Sequence, residues 1–179
     1  MRKMIVSDQD VLHLSLLREN VTNFIMNCAQ KFDYDDCLLL DIAPQDHNGA
    51  REFFNKSKVQ TLDIDKNSNA NYIADLCQNN SSVIPKNFFD IVVCTEVLEH
   101  TLNPFEAVKE IYRILKPNGI ACISVPFNLR IHGPLPDCWR FTEHGLRALF
   151  INFEIIELNV LETVNRDLMP IHYTLIVKK

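Results

Sequence analysis

Phe88–Thr142 reads FFDIVVCTEVLEHTLNPFEAVKEIYRILKPNGIACISVPFNLRIHGPLPDCWRFT. It opens with an apolar run, Phe88–Cys94, broken only by Asp90. A run this short and this rich in β-branched residues predicts a strand buried on both faces of a parallel sheet. Asn103 can cap a following helix, Pro104 suits its first position, and Glu106 completes a capping box. Phe105, Val108, Ile111, Tyr112 and Leu115 then fall on one apolar stripe at helical spacing. Pro117 and Gly119 end that helix, and Ile120–Val125 supplies the next strand. Strand, helix and strand in this order make a βαβ unit with a right-handed connection. Polar residues collect where the strands end: Thr95, Glu96, Glu99 and His100 after the first, His132, Asp137, Trp139 and Arg140 after the second. In open α/β sheets, ligands bind outside the carboxyl ends of the strands.

The rest of the chain extends this pattern. Ser7–Lys31 reads as a helix capped by Ser7, with Val11, Leu14, Leu17, Val21, Phe24, Ile25 and Cys28 on one face. Cys37–Ile42 reads as the central strand, followed by a helix around Gly49–Asn55 and strands at Val59–Ile64 and Tyr72–Ala74. Asn79–Asn87 is a loop. A helix at Glu143–Phe150 precedes two strands, Phe153–Val160 and His172–Lys178, expected as an antiparallel hairpin. At 179 residues the chain is of ordinary single-domain size. The predicted organisation is a helical cap over residues 1–34 and a Rossmann-like core over 37–179.

Composition narrows the function. The net charge of −5 argues against broad nucleic-acid binding, which needs a basic surface. No apolar stretch reaches the roughly 20 residues of a membrane helix, and the N-terminus lacks an apolar signal core, so a cytoplasmic protein with no membrane partner is expected. The six cysteines show no C-x-x-C pair and read as reduced structural thiols; with no ligand pair at short spacing, no metal site is expected.

The motifs that carry a resemblance are Phe89-Asp90, Glu96-Val97-Leu98-Glu99-His100, Asn103-Pro104, Glu110…Arg113, and Leu115-Lys116-Pro117 with Gly119. A second set is Pro126, Phe127, His132, Pro136, Asp137, Trp139, Arg140, Phe141 and Thr142. Together they resemble class I S-adenosylmethionine-dependent methyltransferases, within a small single-domain group. The resemblance covers roughly Cys37 to the C-terminus and is strongest over Phe88–Thr142. It implies a seven-stranded sheet in the order 3-2-1-4-5-7-6, with helices on both faces. It also implies S-adenosylmethionine as cofactor and an N-terminal helix that covers it.

The resemblance further assigns Asp41, Ala43, Asp63, Ile64, Asp75, Leu76, Thr95 and Glu96 to the cofactor. Asp63, at the end of the second strand, would accept from the ribose hydroxyls, with Asp65 as the other candidate. Asp75 would accept from the adenine amine, with the Leu76 amide at a ring nitrogen. Thr95 and Glu96 would line the methionine end, and Asp41 would face the amino group. One departure stands out. Where the family has D-x-G-x-G-x-G, this chain has Asp41-Ile-Ala-Pro-Gln-Asp-His47 and no glycine before Gly49. Those glycines serve close approach to a pyrophosphate in dinucleotide folds. S-adenosylmethionine carries none, so the loss counts against an NAD-dependent oxidoreductase.

Transfer of a methyl group to a hydroxyl usually needs a base, and a histidine can take a proton near neutral pH. His132 is the first candidate. His100 is the second, and otherwise braces its own loop. Arg130 and Arg140 could grip an anionic acceptor. Asp137 either orients His132 or pairs with Arg140, and Trp139 either stacks on a sugar or plugs the loop. The expectation is O-methylation of a small acceptor, anionic where the two arginines grip it, with a sugar or nucleotide-sugar leading. The alternative is a non-catalytic or cofactor-free module that acts through a protein partner.

Overall fold

A computed structural model describes residues 5–44 and 49–179. Helix α1, Asp8–Phe32, begins at Ser7, whose hydroxyl accepts from the Asp10 amide while Asp10 returns a bond to the Ser7 amide. The strands are β1 (Leu38–Ile42), β2 (Lys58–Asp63), β3 (Tyr72–Ile73), β4 (Phe89–Thr95), β5 (Leu115–Pro126), β6 (Glu154–Glu162) and β7 (Pro170–Lys178). Helices α2 (Pro104–Ile114) and α3 (Glu143–Leu149) complete the regular elements, with 3-10 turns at Gly49–Glu52 and Leu98–His100. The sheet order is β3-β2-β1-β4-β5-β7-β6, parallel except for β7 against both its neighbours. The expected topology is the one observed.

Alternation along the central strands sends side chains to opposite faces. Leu39, Ile91, Val93 and Cys122 meet Phe24, Ile25 and Cys28 of α1 on one face. Leu40, Val92, Cys94, Ala121 and Ile123 meet Val108, Ile111, Ile114 and Leu146 on the other. Asp90, which interrupts the β4 run, accepts from the Leu38 amide at 2.9 Å and from Lys116 at 2.8 Å, pinning the start of β1 to β4 and β5.

Three local expectations change. The buried face of α2 is Pro104, Ala107, Val108, Ile111 and Ile114, while Phe105 and Tyr112 are exposed. Small Ala107 was invisible to a pattern that counted large residues. The α2 cap is half a capping box: Asn103 accepts from the Glu106 amide, but Glu106 turns to Lys109. The helix expected around Gly49–Asn55 is a single 3-10 turn, Gly49–Glu52. Part of the atypical turn before it, residues 45–48, lies outside the described residues.

Candidate active site

A cavity of about 510 Å³ opens at the carboxyl ends of β1 and β4. Its walls come from Leu14, Leu17, Arg18 and Val21 of α1, from Asp41 and Ala43, from Gly49 and Glu52, from Thr95 and Glu96, and from His100, His132 and Pro134. Six residues singled out in the sequence (Asp41, Ala43, Thr95, Glu96, His100 and His132) therefore share one space.

Asp41 is buried and accepts from the Ala50 amide at 2.7 Å. Burial pushes its carboxyl up to about 6, against the opposing pull of the Ala50 amide and Arg51. Gly49 has φ +55°, and a Cβ there would lie 2.3 Å from Asp41 Oδ2. This glycine is required for a reason separate from any phosphate: it lets the loop return onto the Asp41 carboxylate.

Glu96 follows β4 in a left-handed conformation, φ 55°, and its amide donates to the Ser124 carbonyl. Its Oε1 accepts from Ser124 Oγ at 2.8 Å and from His172 Nε2 at 2.7 Å. Its Oε2 is buried with no hydrogen-bond donor among the described residues. Beyond it sits Glu99, fully buried, with neither carboxylate oxygen hydrogen-bonded among the described residues. Burial, and then the Glu96 charge, push the Glu99 carboxyl far above the usual range. Sequence reading placed Glu99 among the polar residues past the strand and gave it no role. A buried, unpartnered carboxylate is visible only in three dimensions.

His100 and His132 stand edge to face with ring centroids 5.0 Å apart. Nδ1 of His100 lies 2.9 Å from the Pro136 carbonyl. Nδ1 of His132 lies 3.1 Å from Asp137 Oδ2 and 3.3 Å from the Arg130 carbonyl. Carbonyls and carboxylates only accept, so in the neutral rings both Nδ1 atoms carry the proton and both Nε2 atoms present a lone pair. Those Nε2 atoms lie 3.7 and 3.9 Å from Glu99 Oε1.

The remaining candidates hold the loop together. Arg140 pairs with Asp137 through two nitrogens, one at 2.8 Å, and donates to the carbonyls of Leu129, Arg130 and Trp139. The Arg140 guanidinium holds the Asp137 carboxyl down at about 2. Asp137 also accepts from the His132 amide, so it both pairs with Arg140 and orients His132. Trp139 donates to the Thr101 carbonyl at 2.8 Å and stacks on Phe141. Arg130 approaches Asp10 of α1 at 3.8 Å. None of these four lines the cavity.

The adenosine-end candidates lie further along the same sheet edge, outside the cavity wall. Asp63 ends β2 and accepts from the Asp65 amide at 2.8 Å, and Ile64 beside it is 67% exposed. Asp75 accepts from the Cys77 amide, and Leu76 is buried. A basic residue the sequence reading passed over, Arg18, brings a guanidinium to the cavity wall, the only one among the described residues.

Comparison with known proteins places this architecture. The family described as methyltransferase domain matches residues 22–123. A ubiquinone biosynthesis O-methyltransferase from Rickettsia prowazekii is 35% identical over 69 residues, 38% of this chain and 27% of that protein. The match thus spans about a quarter of that relative's length. Among solved structures, an S-adenosylmethionine-dependent methyltransferase from Methanosarcina mazei superposes with TM-score 0.63 at 18% identity, over 84% of this chain and 95% of that one. The N-methyltransferase NodS from Bradyrhizobium japonicum, solved with S-adenosyl-L-homocysteine, gives 0.65 at 12% identity, over 90% and 86%. Among the described residues, no helix is long and apolar enough to cross a membrane.

Proposed function

This chain belongs to the methyltransferase domain family, and we propose that it transfers a methyl group from S-adenosylmethionine to a hydroxyl oxygen of a small molecule. The observation that carries this reading is the placement of Asp41, Glu96, His100 and His132 around one cavity. The residues present suit the cofactor. Its amino group and sulfonium are cationic, and Asp41 and the unpartnered Oε2 of Glu96 supply carboxylate oxygens. Its carboxylate suits Arg18 on α1. Ribose and adenine would run toward Asp63, Ile64, Asp75 and Leu76. A dinucleotide pyrophosphate would meet three carboxylates, those of Asp41, Glu52 and Glu96, in place of a glycine-rich amide cradle.

When bound, S-adenosylmethionine supplies the methyl group, and its sulfur keeps the electron pair of the broken bond. The chain's own part is to orient the acceptor and take its proton. His132 is held by Asp137 and lines the cavity, and its unprotonated Nε2 receives the hydroxyl proton. His100 stands beside it in the same tautomer. Arg130, Asp137, Trp139 and Arg140 form the frame of the acceptor loop. An O-methyltransferase among the relatives favours oxygen as the target. A sugar is a suitable acceptor because His100 and His132 bring hydrogen-bonding groups to that end of the cavity wall.

The test is a calorimetric titration with S-adenosylhomocysteine and with NAD, followed by transfer of labelled methyl to a panel of hydroxyl compounds. S-adenosylhomocysteine should bind and NAD should not; the reverse result overturns the reading. With an acceptor in hand, His132→Asn should retain cofactor affinity and lower turnover by about 10²–10⁴-fold, the usual worth of a general base.

A further inference from the structure

We propose that Glu99, His100 and His132 form a binding site for a divalent transition-metal ion at the acceptor end of the cavity. Three observations converge. One carboxylate oxygen from Glu99 and one ring nitrogen from each histidine lie within 4.8 Å of one another. The Glu99 side chain is fully buried, and among the described residues neither of its oxygens has a hydrogen-bond partner. Both histidines present unprotonated Nε2 atoms, because their Nδ1 atoms face Pro136, Arg130 and Asp137 acceptors.

Two imidazole lone pairs and a buried carboxyl group stand within 4.8 Å of one another with no hydrogen bond joining them, an arrangement that suits a cation. A proton on Glu99 would not answer this. At 3.7 and 3.9 Å the imidazole nitrogens are too far away to accept its hydrogen bond. They are nearly right for a shared ion: ligand atoms about 2.1 Å from a tetrahedral zinc stand roughly 3.4 Å apart, so each Glu99–imidazole pair needs to close by no more than about half an ångström, and all three ligand atoms already lie within 4.8 Å of one another. The acceptors behind each Nδ1 are the outer-shell partners that fix the ring of a metal-ligating histidine. Glu96 adds a second carboxylate nearby, with Oε2 buried and unpartnered.

Two imidazoles and one carboxylate suit Zn²⁺, Fe²⁺, Mn²⁺ or Co²⁺ better than Mg²⁺ or Ca²⁺, which prefer oxygen alone. Three protein ligands leave coordination positions open, and His100 and His132 line the cavity, so those positions face the acceptor. An acceptor with oxygens on adjacent carbons would fill two of them. The ion would then lower the hydroxyl's pKa, with the histidines acting as ligands in place of base. That catalytic role rests on the methyl-transfer reading above; the binding site does not.

Chelator-treated, reduced protein should be titrated with Co²⁺ by calorimetry and visible absorption, and separately with S-adenosylhomocysteine. The expected result is one Co²⁺ per chain, with no thiolate charge-transfer band although all six cysteines are free. Glu99→Gln and His132→Gln should each weaken binding by about 100-fold or more, beyond what loss of an outer-shell partner costs. Circular dichroism confirms the fold of each variant, and either one suffices if the other fails to fold. Absence of stoichiometric Co²⁺ binding, thiolate ligation, or unchanged affinity in a folded variant overturns the site. Binding of S-adenosylhomocysteine without Co²⁺ removes the metal and leaves the methyl-transfer reading. Binding of Co²⁺ without S-adenosylhomocysteine supports the metal site and removes that reading.

Discussion

His172 donates from Nε2 to Glu96 Oε1 at 2.7 Å while its Nδ1 accepts from the Asn20 side-chain Nδ2 at 2.8 Å, so a buried imidazole ties α1 to the carboxylate beyond β4. Removing that ring takes a partner from the half-buried Asn20 side chain, while Glu96 keeps its bond from Ser124. His172→Leu should lower unfolding free energy by roughly 1 kcal/mol, the net scale of a hydrogen bond. Urea titration measures it. Affinity for S-adenosylhomocysteine should fall with it, because the Glu96 carboxylate loses a fixed orientation.

Asp41 should make cofactor affinity depend on pH. Its folded pKa of about 6 lies above the unfolded value of about 3.9. The stability it contributes is therefore fullest below pH 3.9, declines as pH rises through 6, and is level above. An ammonium group opposite it reverses the preference and favours the carboxylate. Binding of S-adenosylhomocysteine should tighten as pH rises through about 6 and then plateau. Asp41→Asn should flatten that step in a calorimetric series; an unaltered step assigns it to another group.

Gly49→Ala places a methyl group against the Asp41 carboxylate in a left-handed backbone. Strain of this kind costs roughly 1–3 kcal/mol. The variant should melt earlier and bind S-adenosylhomocysteine more weakly. A Gly49→Ala protein identical to the parent in both measurements would separate this glycine from the site.

Asp63→Ala should weaken S-adenosylhomocysteine by roughly 1.5–3 kcal/mol, the scale of hydrogen bonds to a charged group. The protein should keep its fold, because the one hydrogen bond lost is the local one to the Asp65 amide. Unchanged affinity in a folded variant shifts attention to Asp65.

The sheet was legible because its strands are continuous apolar runs bounded by punctuation, as in Phe89–Thr95, where period plays no part. Helix faces were less legible. Phe105 and Tyr112 outweigh Ala107 in any hydrophobic count, yet Ala107 is the residue that packs against the core. The site was half legible: carboxylates at strand ends are announced by position alone. Arg140 looked like an anion receptor because its carbonyl partners at Leu129 and Arg130 lie about ten residues away in sequence. The meeting of Glu99 with His132 was hidden because a helix and a strand intervene between them.

Helix α1 is fastened unevenly. Its second half is sunk among Leu39, Ile91 and Cys122 through Phe24, Ile25 and Cys28. Its first half is held by buried Leu17 and by discrete polar ties, His13 to the Asn128 carbonyl and Asn20 to His172. If the first half lifted while the second stayed seated, the ties broken would be those of Asp10, His13 and Asn20. Release of a spent cofactor would then be timed by His13 and Asn20, which do not line the cavity. Loosening either should quicken exchange of the product even as it weakens its grip.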